Sequence, residues 1–371
     1  MSSSVLFLLV WLLPAQLRPE PLDLNSASAW QLEALPGVGP ATAARIVEFR
    51  DTYGPFASTE ALLEVAGIGP TTLEGLEDMV AVGAPAPDTS HWLPHSEPDG
   101  ILLEMLFLDV GQGDAVLLVP AGGRPCLVDG GPDLGGPLVP PVVRALAEAG
   151  VDTVPVAVLT HPHADHVGGL AEVVGSCGVR LMLDPMIDHV SPLYESLLEA
   201  LLETGADYRP LRPGDSLWLS DSVLLRAVCV QGRTAGGNTA EGELSVNDRG
   251  AVLLVECGDF TALITGDIEE PAERLLAPEL EPVTVVTVPH HGSASSLFGP
   301  FLDRLRPQLA VVCCGAGNPF GHPHPSALEA WSARGAEVLR TDRCGTIVVA
   351  TDGHALHHHS ITGGESGETP R

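Results

Sequence analysis

Residues 160–169 read T-H-P-H-A-D-H-V-G-G. They directly follow the apolar run 154–159, which predicts a buried strand, so their polar side chains belong to a tight loop at the strand's end. Within this loop, four side chains that can bind metal fall in six positions: His161, His163, Asp165 and His166. Neutral imidazoles and a carboxylate are the ligands that borderline divalent cations prefer, and one such loop can serve two ions. The stretch therefore predicts a metal site.

Three further polar clusters end strand-like runs. Asp129 ends C-L-V-D, Asp267 ends A-L-I-T-G-D, and His290 and His291 follow V-T-V-V-T-V-P. Ionisable groups placed directly after buried strands are where an enzyme of layered sheets displays its ligands. We therefore expect these residues to converge with the histidine loop.

From residue 101 onward, short apolar runs alternate with glycine turns and amphipathic segments. The predicted strands are 101–108, 115–119, 125–128, 154–159, 179–183, 223–230, 251–256, 261–265, 283–288, 309–313 and 346–350. The predicted helices are 139–149, 192–202, 271–276, 301–305 and 325–334, and residues 231–242 are predicted to form an exposed loop. Consecutive strands followed by strand–helix alternation, twice over, predict two sheets packed face to face with helices outside, over residues 101–360.

The composition is strongly acidic. A formal charge of -30 arises from 48 acidic and 18 basic residues, and every basic residue is Arg. Such a surface repels polyanions on average, which argues against a long nucleic-acid footprint, although a metal pair inverts the sign locally. The seven cysteines show no C-x-x-C spacing and lie mostly in apolar runs, so we interpret them as buried small side chains rather than a disulfide framework.

The first residues carry a short apolar run, V-L-F-L-L-V-W-L-L at 5–13. Nine residues are too few to span a bilayer but fit the apolar region of a secretory signal, so residues 1–16 are interpreted as signal-like. We expect an extracytoplasmic protein, secreted or periplasmic, or one held at a membrane by this segment without a stable span of its own. A cytoplasmic protein with a mis-chosen start codon is the alternative.

Residues 17–83 contain two similar halves, each with a G-x-G-P turn that opens a helix, predicted at 41–50 and 71–80. This tandem helix-hairpin-helix pattern resembles the DNA-binding domain of the ComEA competence family. The resemblance implies that Gly37, Gly39, Gly67 and Gly69 offer backbone amides to DNA phosphates. Between residues 22 and 83, however, nine carboxylates face two arginines, a net charge of -7. Duplex binding and a structural or protein-docking role therefore both stay open.

Two segments carry no periodic pattern. Residues 84–100 are Pro-rich and are interpreted as a linker, and the polar residues 361–371 as a disordered tail. The histidine-rich residues 354–359 are placed in a polar end segment and interpreted as surface.

The polar clusters together resemble a known set of motifs. H-x-H-x-D-H, the later T-G-D and the final H-H-G-S are similar to the metal motifs of the metallo-β-lactamase superfamily. F-L-D-V-G-Q-G-D-A at 107–115, V-P-H-H-G-S at 288–293 and G-H-P-H-P at 321–325 narrow the resemblance to the hydrolase domain of the ComEC competence family. This resemblance implies an αββα sandwich and a dinuclear hydrolase, with nuclease or phosphodiesterase activity.

Carried over to this chain, the resemblance implies two divalent ions, zinc or manganese. His161 and His163 would hold one ion, Asp165 and His166 the other, and Asp267 would bridge them. ComEC proteins often have Asp at the position of His163, so this chain has the fuller ligand set.

Other positions receive supporting roles from the same resemblance. One of His290 and His291 completes the second ion, and the sequence leaves open which. Asp129 braces the loop. The third-motif histidine of the superfamily is replaced by Asn247 or Asp248, which implies a loosely held first ion.

For catalysis, two such ions activate a water for attack on phosphorus. Asp165 would orient the nucleophile, and His322 or His324 would protonate the leaving oxygen, unless these are structural turn histidines. Gly292 and Ser293 would hold a phosphate oxygen.

The resemblance implies a phosphodiesterase or nuclease linked to DNA uptake or extracellular DNA processing. Its partners would be DNA or another phosphodiester and a competence-type membrane channel in trans. Two alternatives are a small-molecule metallohydrolase with a protein-docking N-terminal module and a non-enzymatic DNA-uptake accessory protein.

Overall fold

A computed structural model describes residues 22–25, 27, 32, 35–53, 56, 58–76, 79–82, 100–134, 139–240 and 242–361. The signal-like segment 1–16, linker residues 84–99 and tail residues 362–371 lie outside the described residues. The chain divides into two compact units, residues 1–91 and 92–371.

The N-terminal unit is built on its two G-x-G-P turns. Its elements are β1 (Leu22–Asp23), α1 (Pro40–Tyr53), a 3₁₀ helix (Thr59–Glu64), α2 (Pro70–Glu74) and β2 (Val80–Ala81), and β1 pairs with β2 in parallel. Both helices begin at the proline of a turn, where a missing N–H costs nothing. The prediction of a helix over 71–80 is wrong beyond Glu74, because Gly75 caps the helix and Val80 pairs with Leu22.

One eight-stranded sheet carries the first half of the C-terminal unit. Its strand order is β18-β17-β3-β4-β5-β6-β7-β8, and β5, β6, β7 and β8 run parallel to one another. The strands are β3 (Leu103–Phe107), β4 (Val116–Pro120), β5 (Cys126–Val128), β6 (Val156–Val158), β7 (Leu181–Asp184), β8 (Asp207–Pro210), β17 (Thr346–Thr351) and β18 (Leu356–Ile361).

A second eight-stranded sheet packs against the first. Its order is β11-β10-β12-β13-β14-β15-β16, with β9 also paired to β10, and β13 to β16 are parallel neighbours. The strands are β9 (Ser216–Trp218), β10 (Leu224–Val230), β11 (Arg233–Thr234), β12 (Val252–Cys257), β13 (Phe260–Ile264), β14 (Val285–Thr287), β15 (Leu309–Val312) and β16 (Glu337–Arg340).

Helices cover the outer face of each sheet. They are α3 (Pro141–Glu148), α4 (Ala164–Val167), α5 (Leu170–Ser176), α6 (Pro192–Thr204), α7 (Glu270–Leu276), α8 (Gly299–Leu305), α9 (Pro325–Ser332) and α10 (Thr341–Cys344). One buried cluster, including Phe107 and Phe260, fills the space between the sheets, and two more lie under the outer helices. The predicted αββα sandwich with a preceding helix-hairpin-helix domain is confirmed.

Several elements were not predicted. Strands β8, β9, β11, β16 and β18 and helices α4, α5 and α10 are absent from the sequence-based assignment, because their apolar patterns are too short or broken to stand out. Short β11 interrupts the predicted loop 231–242. His357, His358 and His359 are exposed, as their interpretation as surface residues predicts, although no strand was predicted there. These histidines lie in β18, which owes its conformation to pairing with β17.

The topology brings the polar clusters to one place. Asp129 follows β5, the histidine loop follows β6, Asp267 follows β13 and His290 follows β14. Parallel neighbours end at the same edge of a sheet, and ligands of such sheets bind outside those carboxyl ends. The four segments follow two parallel pairs, β5–β6 in one sheet and β13–β14 in the other, and the candidate site lies where the carboxyl ends of these pairs meet.

Candidate metal centre

Asp129 holds the histidine loop in place by hydrogen bonds. Its Oδ1 accepts a hydrogen bond from the Thr160 amide at 2.7 Å, and its Oδ2 accepts from the Thr160 hydroxyl at 2.6 Å and from His166 Nδ1 at 2.8 Å. The Thr160 hydroxyl oxygen in turn lies 3.2 Å from His161 Nδ1. With both Nδ1 atoms used as donors in this way, His161 and His166 each present an Nε2 lone pair to the site.

The double glycine after the histidines allows the loop to pack this tightly. Gly168 lies against the backbone of Asp133, where a Cβ would come within 2.2 Å of the Asp133 nitrogen. Gly169 lies against the carbonyl oxygen of Gly130 with equally little space, and Gly130 donates from its amide to the His166 carbonyl at 2.7 Å. Side chains at these glycines would push the loop away from Asp129.

Asp267 stands at the centre of the ligand set, and its side chain is only 3% exposed. Its Oδ1 lies 3.2 Å from His166 Nε2 and 3.5 Å from His291 Nε2. Its Oδ2 lies 3.8 Å from both His161 Nε2 and His290 Nε2. Each carboxylate oxygen therefore faces two imidazoles of its own.

His290 and His291 reach opposite sides of Asp267 because their turn is strained. Both have left-handed backbone angles, with φ of 50° and 53°, and Gly292 follows at 79°. His291 is buried; its Nδ1 donates to the Cys313 carbonyl at 2.9 Å and lies 3.1 Å from Asp114 Oδ1, while its Nε2 lies 3.2 Å from Asp165 Oδ2. His290 is 23% exposed, and its Nδ1 lies 3.4 Å from Glu269 Oε1. Non-glycine residues at positive φ concentrate at functional sites, as here.

The donor atoms fit a divalent cation. Ligand atoms of Asp165, His166, Asp267 and His291 all lie within 4.8 Å of one another and could hold one metal ion. His166 Nε2 and Asp267 Oδ1 are buried and 3.2 Å apart, yet neither has a hydrogen-bond partner. Buried polar atoms are rarely left unsatisfied. A metal ion shared by this nitrogen and this oxygen would satisfy both.

A second pair of nitrogens suits the other side of Asp267. His161 Nε2 lies 3.1 Å from His163 Nδ1. Two nitrogens bound tetrahedrally at about 2.0–2.1 Å from one ion would lie about 3.3 Å apart. The 3.1 Å contact is a hydrogen bond between the rings, and its length is also close to the separation of two imidazoles on a common cation.

Burial and charge act in opposite directions on the imidazoles. Burial lowers the pKa of His161 well below its ordinary value and also lowers the pKa of His163. Burial also opposes protonation of His166 and His291, but neighbouring carboxylates outweigh it. The pKa of His166 is raised well above its ordinary value by Asp267 and Asp129. The pKa of His291 is raised in the same way by Asp267 and Asp114. The Asp267 side facing His166 and His291 thus attracts positive charge most strongly, as a proton or as a metal ion.

The surroundings of Asn247 and Asp248, one of which is predicted to stand at the third-motif position, differ. Asp248 Oδ1 accepts from the Glu269 and Ala272 amides at 2.9 and 3.2 Å, so it caps the start of α7. Asn247 is buried, and its Oδ1 has no hydrogen-bond partner. Asp248 therefore supports the segment after Asp267 without facing the centre.

The other candidate residues are less directly placed. His322 is half-buried with its ring 5.6 Å from that of His290, and burial, followed by His290, lowers its pKa. His324 caps α9 by accepting from the Ser326 amide, which gives it a structural contact. Ser293 bonds within its own turn, its amide to the His290 carbonyl and its hydroxyl to Ser295. Gly292 packs on Pro323, where a Cβ would clash at 2.6 Å.

Two contacting residues escaped the sequence analysis. Asp114 belongs to the quoted motif at 107–115, but only the structure shows that its carboxylate reaches His291. His189 lies in the loop after β7, with its ring 5.6 Å from that of His163. A single histidine in an aperiodic loop carries no sequence signal of such a contact.

In the N-terminal unit, Gly37 and Gly67 have φ of 79° and 104°, as the two tight turns require. Gly39 and Gly69 follow them, and each accepts helix-opening bonds at its carbonyl. Two arginines of the described residues bond inside the fold of this unit: Arg45 donates to the Ala66 carbonyl, and Arg50 donates to the Leu24 carbonyl at 3.0 Å. Arg45 thus joins the two halves of the unit, whereas Arg50 ties α1 to the segment around Leu24 within the first half.

Comparisons with known proteins agree with this architecture. A helix-hairpin-helix motif model matches residues 19–81, and the model of the metallo-beta-lactamase superfamily matches residues 108–316, more than half of the chain. The chain therefore belongs to the metallo-beta-lactamase superfamily. Within it, the chain is related to competence proteins of the ComEC family. The superfamily and the ligand cluster indicate a metal-dependent hydrolase.

Two relatives illustrate this relationship. ComE operon protein 3 of Bacillus subtilis is 27% identical over 261 residues, which cover 66% of this chain and 32% of that protein. Recombination protein 2 of Haemophilus influenzae is 27% identical over 224 residues, covering 60% and 25%. The chain thus spans at most about a third of the length of these relatives.

Among solved structures, the metallo-beta-lactamase fold protein YhfI from Bacillus subtilis aligns with a TM-score of 0.40 and 11% identity. The alignment covers 64% of this chain and 95% of that one. In the part of this chain that the structure describes, no helix is long and apolar enough to cross a membrane.

Proposed function

We propose that this protein is a phosphodiesterase or nuclease that uses two divalent ions, zinc or manganese. The observation that supports this best is the arrangement around Asp267, whose two carboxylate oxygens each face two imidazole Nε2 atoms at 3.2–3.8 Å. A carboxylate shared in this way is suited to bridge two cations.

The oxygen Oδ1 side would hold one ion with Asp165, His166 and His291. On the Oδ2 side, His161, His163 and His290 would hold the other. Both members of the His290–His291 pair therefore ligate in this proposal, one on each side. His290 takes the place that the missing third-motif histidine would fill.

When bound, such ions act as Lewis acids towards a phosphoryl oxygen and make a water nucleophilic near neutral pH. The chain's own residues then position the reactants. Asp165 is 29% exposed, and the interaction with His291 and the charge of His166 outweigh its burial and lower its pKa, so it stays deprotonated and can accept a hydrogen bond from the attacking water.

On the leaving-group side we assign His322 rather than His324, because His324 is used as a helix cap. Burial lowers the pKa of His322, so this imidazole is neutral at pH 7. A neutral imidazole can donate one N–H, so His322 would stabilise the leaving oxygen by a hydrogen bond.

DNA is the substrate class we favour, because the relatives are named for competence and recombination. We propose that the helix-hairpin-helix unit contacts DNA phosphates through its glycine turns. Since Arg45 and Arg50 bond to backbone carbonyls, such binding would have few cationic contacts and a shallow salt dependence. We further propose that the protein acts outside the cytoplasm, beside a competence-type channel in trans.

The test is to incubate the purified chain, loaded with zinc or manganese, with single-stranded DNA, duplex DNA and bis(p-nitrophenyl) phosphate. We expect all metal-dependent cleavage to fall by at least about 10³-fold in Asp267→Asn, since metal stabilisation of the transition state is worth several kcal/mol. Asp221→Asn, an exposed aspartate in the turn before β10, is the matched control and should retain full activity.

Two other outcomes would contradict parts of this proposal. Cleavage of the small ester alone would exclude the nuclease and favour a small-molecule metallohydrolase. Undiminished turnover by the metal-loaded Asp267→Asn variant would refute the proposed centre.

A further inference from the structure

An exposed aromatic ring stands beside the proposed centre. Phe320 is 65% exposed, and its ring is nearly parallel to that of His322, at an interplanar angle of 14° and a centroid distance of 6.1 Å. The ring of His322 in turn lies 5.6 Å from that of His290, whose Nε2 faces Asp267. A series of rings therefore leads outward from Asp267 and ends in the open face of Phe320.

The loop that carries these rings is held in one conformation. The Asn318 side-chain oxygen accepts from the amides of Phe320 and His322 at 3.2 and 3.1 Å, and its amide group donates to the carbonyls of His322 and Gly315. The half-buried Asn318 side chain thus holds the loop in place through four hydrogen bonds. The backbone that carries both rings is therefore preorganised, so a ligand that stacks on them would not have to order the loop.

This loop is also fastened to the turn that carries His290. The His324 amide donates to the Gly292 carbonyl at 2.8 Å, and Pro323 packs against Gly292 so closely that a Cβ there would clash. Phe320 is therefore fixed relative to the centre rather than displayed on an independent loop.

Charge alone offers a nucleic acid little affinity for this protein. The chain carries 48 acidic residues and 18 arginines, so its average field repels a polyanion. Base stacking on an aromatic ring needs no cationic groove and contributes about 1–3 kcal/mol per base. An exposed, fixed ring next to a phosphate site supplies this contribution.

We propose that Phe320, backed by His322, stacks against the nucleobase adjacent to the phosphodiester at the centre. This inference rests on the proposed function and specifies its substrate: single-stranded or short nucleic acid, whose bases are free to stack. In a duplex the same base is paired and stacked, and it would have to be flipped out at a cost of a few kcal/mol.

The experiment compares two diesters that differ in the group on the His322 side, the dinucleotide thymidylyl-(3′→5′)-thymidine and thymidine 3′-(methyl phosphate), on the metal-loaded chain. We expect Phe320→Ala to raise KM about 5- to 150-fold for the dinucleotide alone, the range that 1–3 kcal/mol of stacking implies. Phe320→Tyr, which keeps a ring, should restore binding. Trp218→Ala is the matched control, because Trp218 is an exposed aromatic whose register with Leu224 places it at the opposite end of the sheet.

Binding measured without turnover separates this inference from the proposed reaction. Calorimetric titration with thymidine 5′-monophosphate and with methyl phosphate should show that Phe320→Ala weakens only the nucleotide. If Phe320→Ala weakens only nucleotide binding and no ester is cleaved, the proposed hydrolysis is refuted but the stacking surface is supported. Equal losses for both ligands, or no loss for either, would refute the stacking surface whatever is cleaved.

Discussion

The two sides of the Asp267 carboxylate offer the same imidazole chemistry in different surroundings. On the Oδ1 side, His166 and His291 are almost fully buried, and each donates its Nδ1 hydrogen to a carboxylate or a backbone carbonyl. On the Oδ2 side, His290 is 23% exposed and its nearest acidic partner, Glu269, is 25% exposed. Outer partners that orient a ligand raise its affinity, and burial strengthens their charge interactions.

This difference implies that the two ions would bind unequally. The Oδ1 side adds Asp165 as a second carboxylate and has imidazoles whose surroundings favour positive charge. The Oδ2 side has imidazoles that burial keeps neutral and a ligand, His290, held only by long contacts. We therefore expect a tight ion at Oδ1 and a weaker, exchangeable ion at Oδ2.

The strongest test removes one histidine from each side. His291→Ala should weaken the tight ion by more than about 100-fold, because even the outer partners of ligands contribute about 10- to 100-fold. His290→Ala should spare that ion and lose the weak one, so that gel-filtered protein retains one metal per chain by elemental analysis. Two metals retained by both variants would contradict the assignment of one histidine to each side.

A smaller effect is expected from the acidic partners of the same two histidines. Asp114 is buried against His291 at 3.1 Å, so Asp114→Asn should lower affinity for the tight ion about 10-fold. Glu269 is partly exposed, where solvent screens the contact, so Glu269→Gln should change affinity for the weak ion by less than about 3-fold. Competition with a chromophoric chelator measures both constants. An equal loss in the two variants would show that the sides are not different.

The smallest effect on the site is expected from α7, the helix next to the weaker ion at Asp267 Oδ2. Glu273 in α7 is fully buried and accepts from the Phe298 amide at 2.7 Å, which joins α7 to the segment after His291. Burial raises its pKa from 4.5 to about 8. The folded chain therefore keeps this proton up to about pH 8, whereas the unfolded chain releases it above about pH 4.5.

The sign follows from linkage: the contribution of Glu273 to stability is fully present below pH 4.5 and is lost as pH rises to about 8, at up to about 1.4 kcal/mol per pH unit. Urea denaturation followed by circular dichroism between pH 5 and 8 measures this slope. Glu273→Gln should flatten it, and Glu199→Gln on the exposed face of α6 should not. An unchanged slope in Glu273→Gln would assign the pH dependence to other groups.

The sequence predicted the strands that end at the site, because long apolar runs followed by ionisable residues are a local signal. It also predicted that Asp129, Asp267 and the histidine loop converge, since ionisable residues directly after buried strands of layered sheets tend to form one site. It missed β16 and β18, whose mixed polar sequences become strands only by pairing with β15 and β17. It could not choose between His290 and His291, because two adjacent residues normally point in different directions whatever their role.

Motif order and spacing alone indicated the superfamily, the αββα sandwich and the candidate ligand residues, since each motif is a short local pattern in the chain. Tertiary structure decided how those ligands divide. Left-handed backbone at both His290 and His291 sends the two imidazoles to different oxygens of Asp267, and the parallel rings of Phe320 and His322 extend the site outward. Such relations join atoms from distant parts of the chain, and packing between the two sheets fixes them.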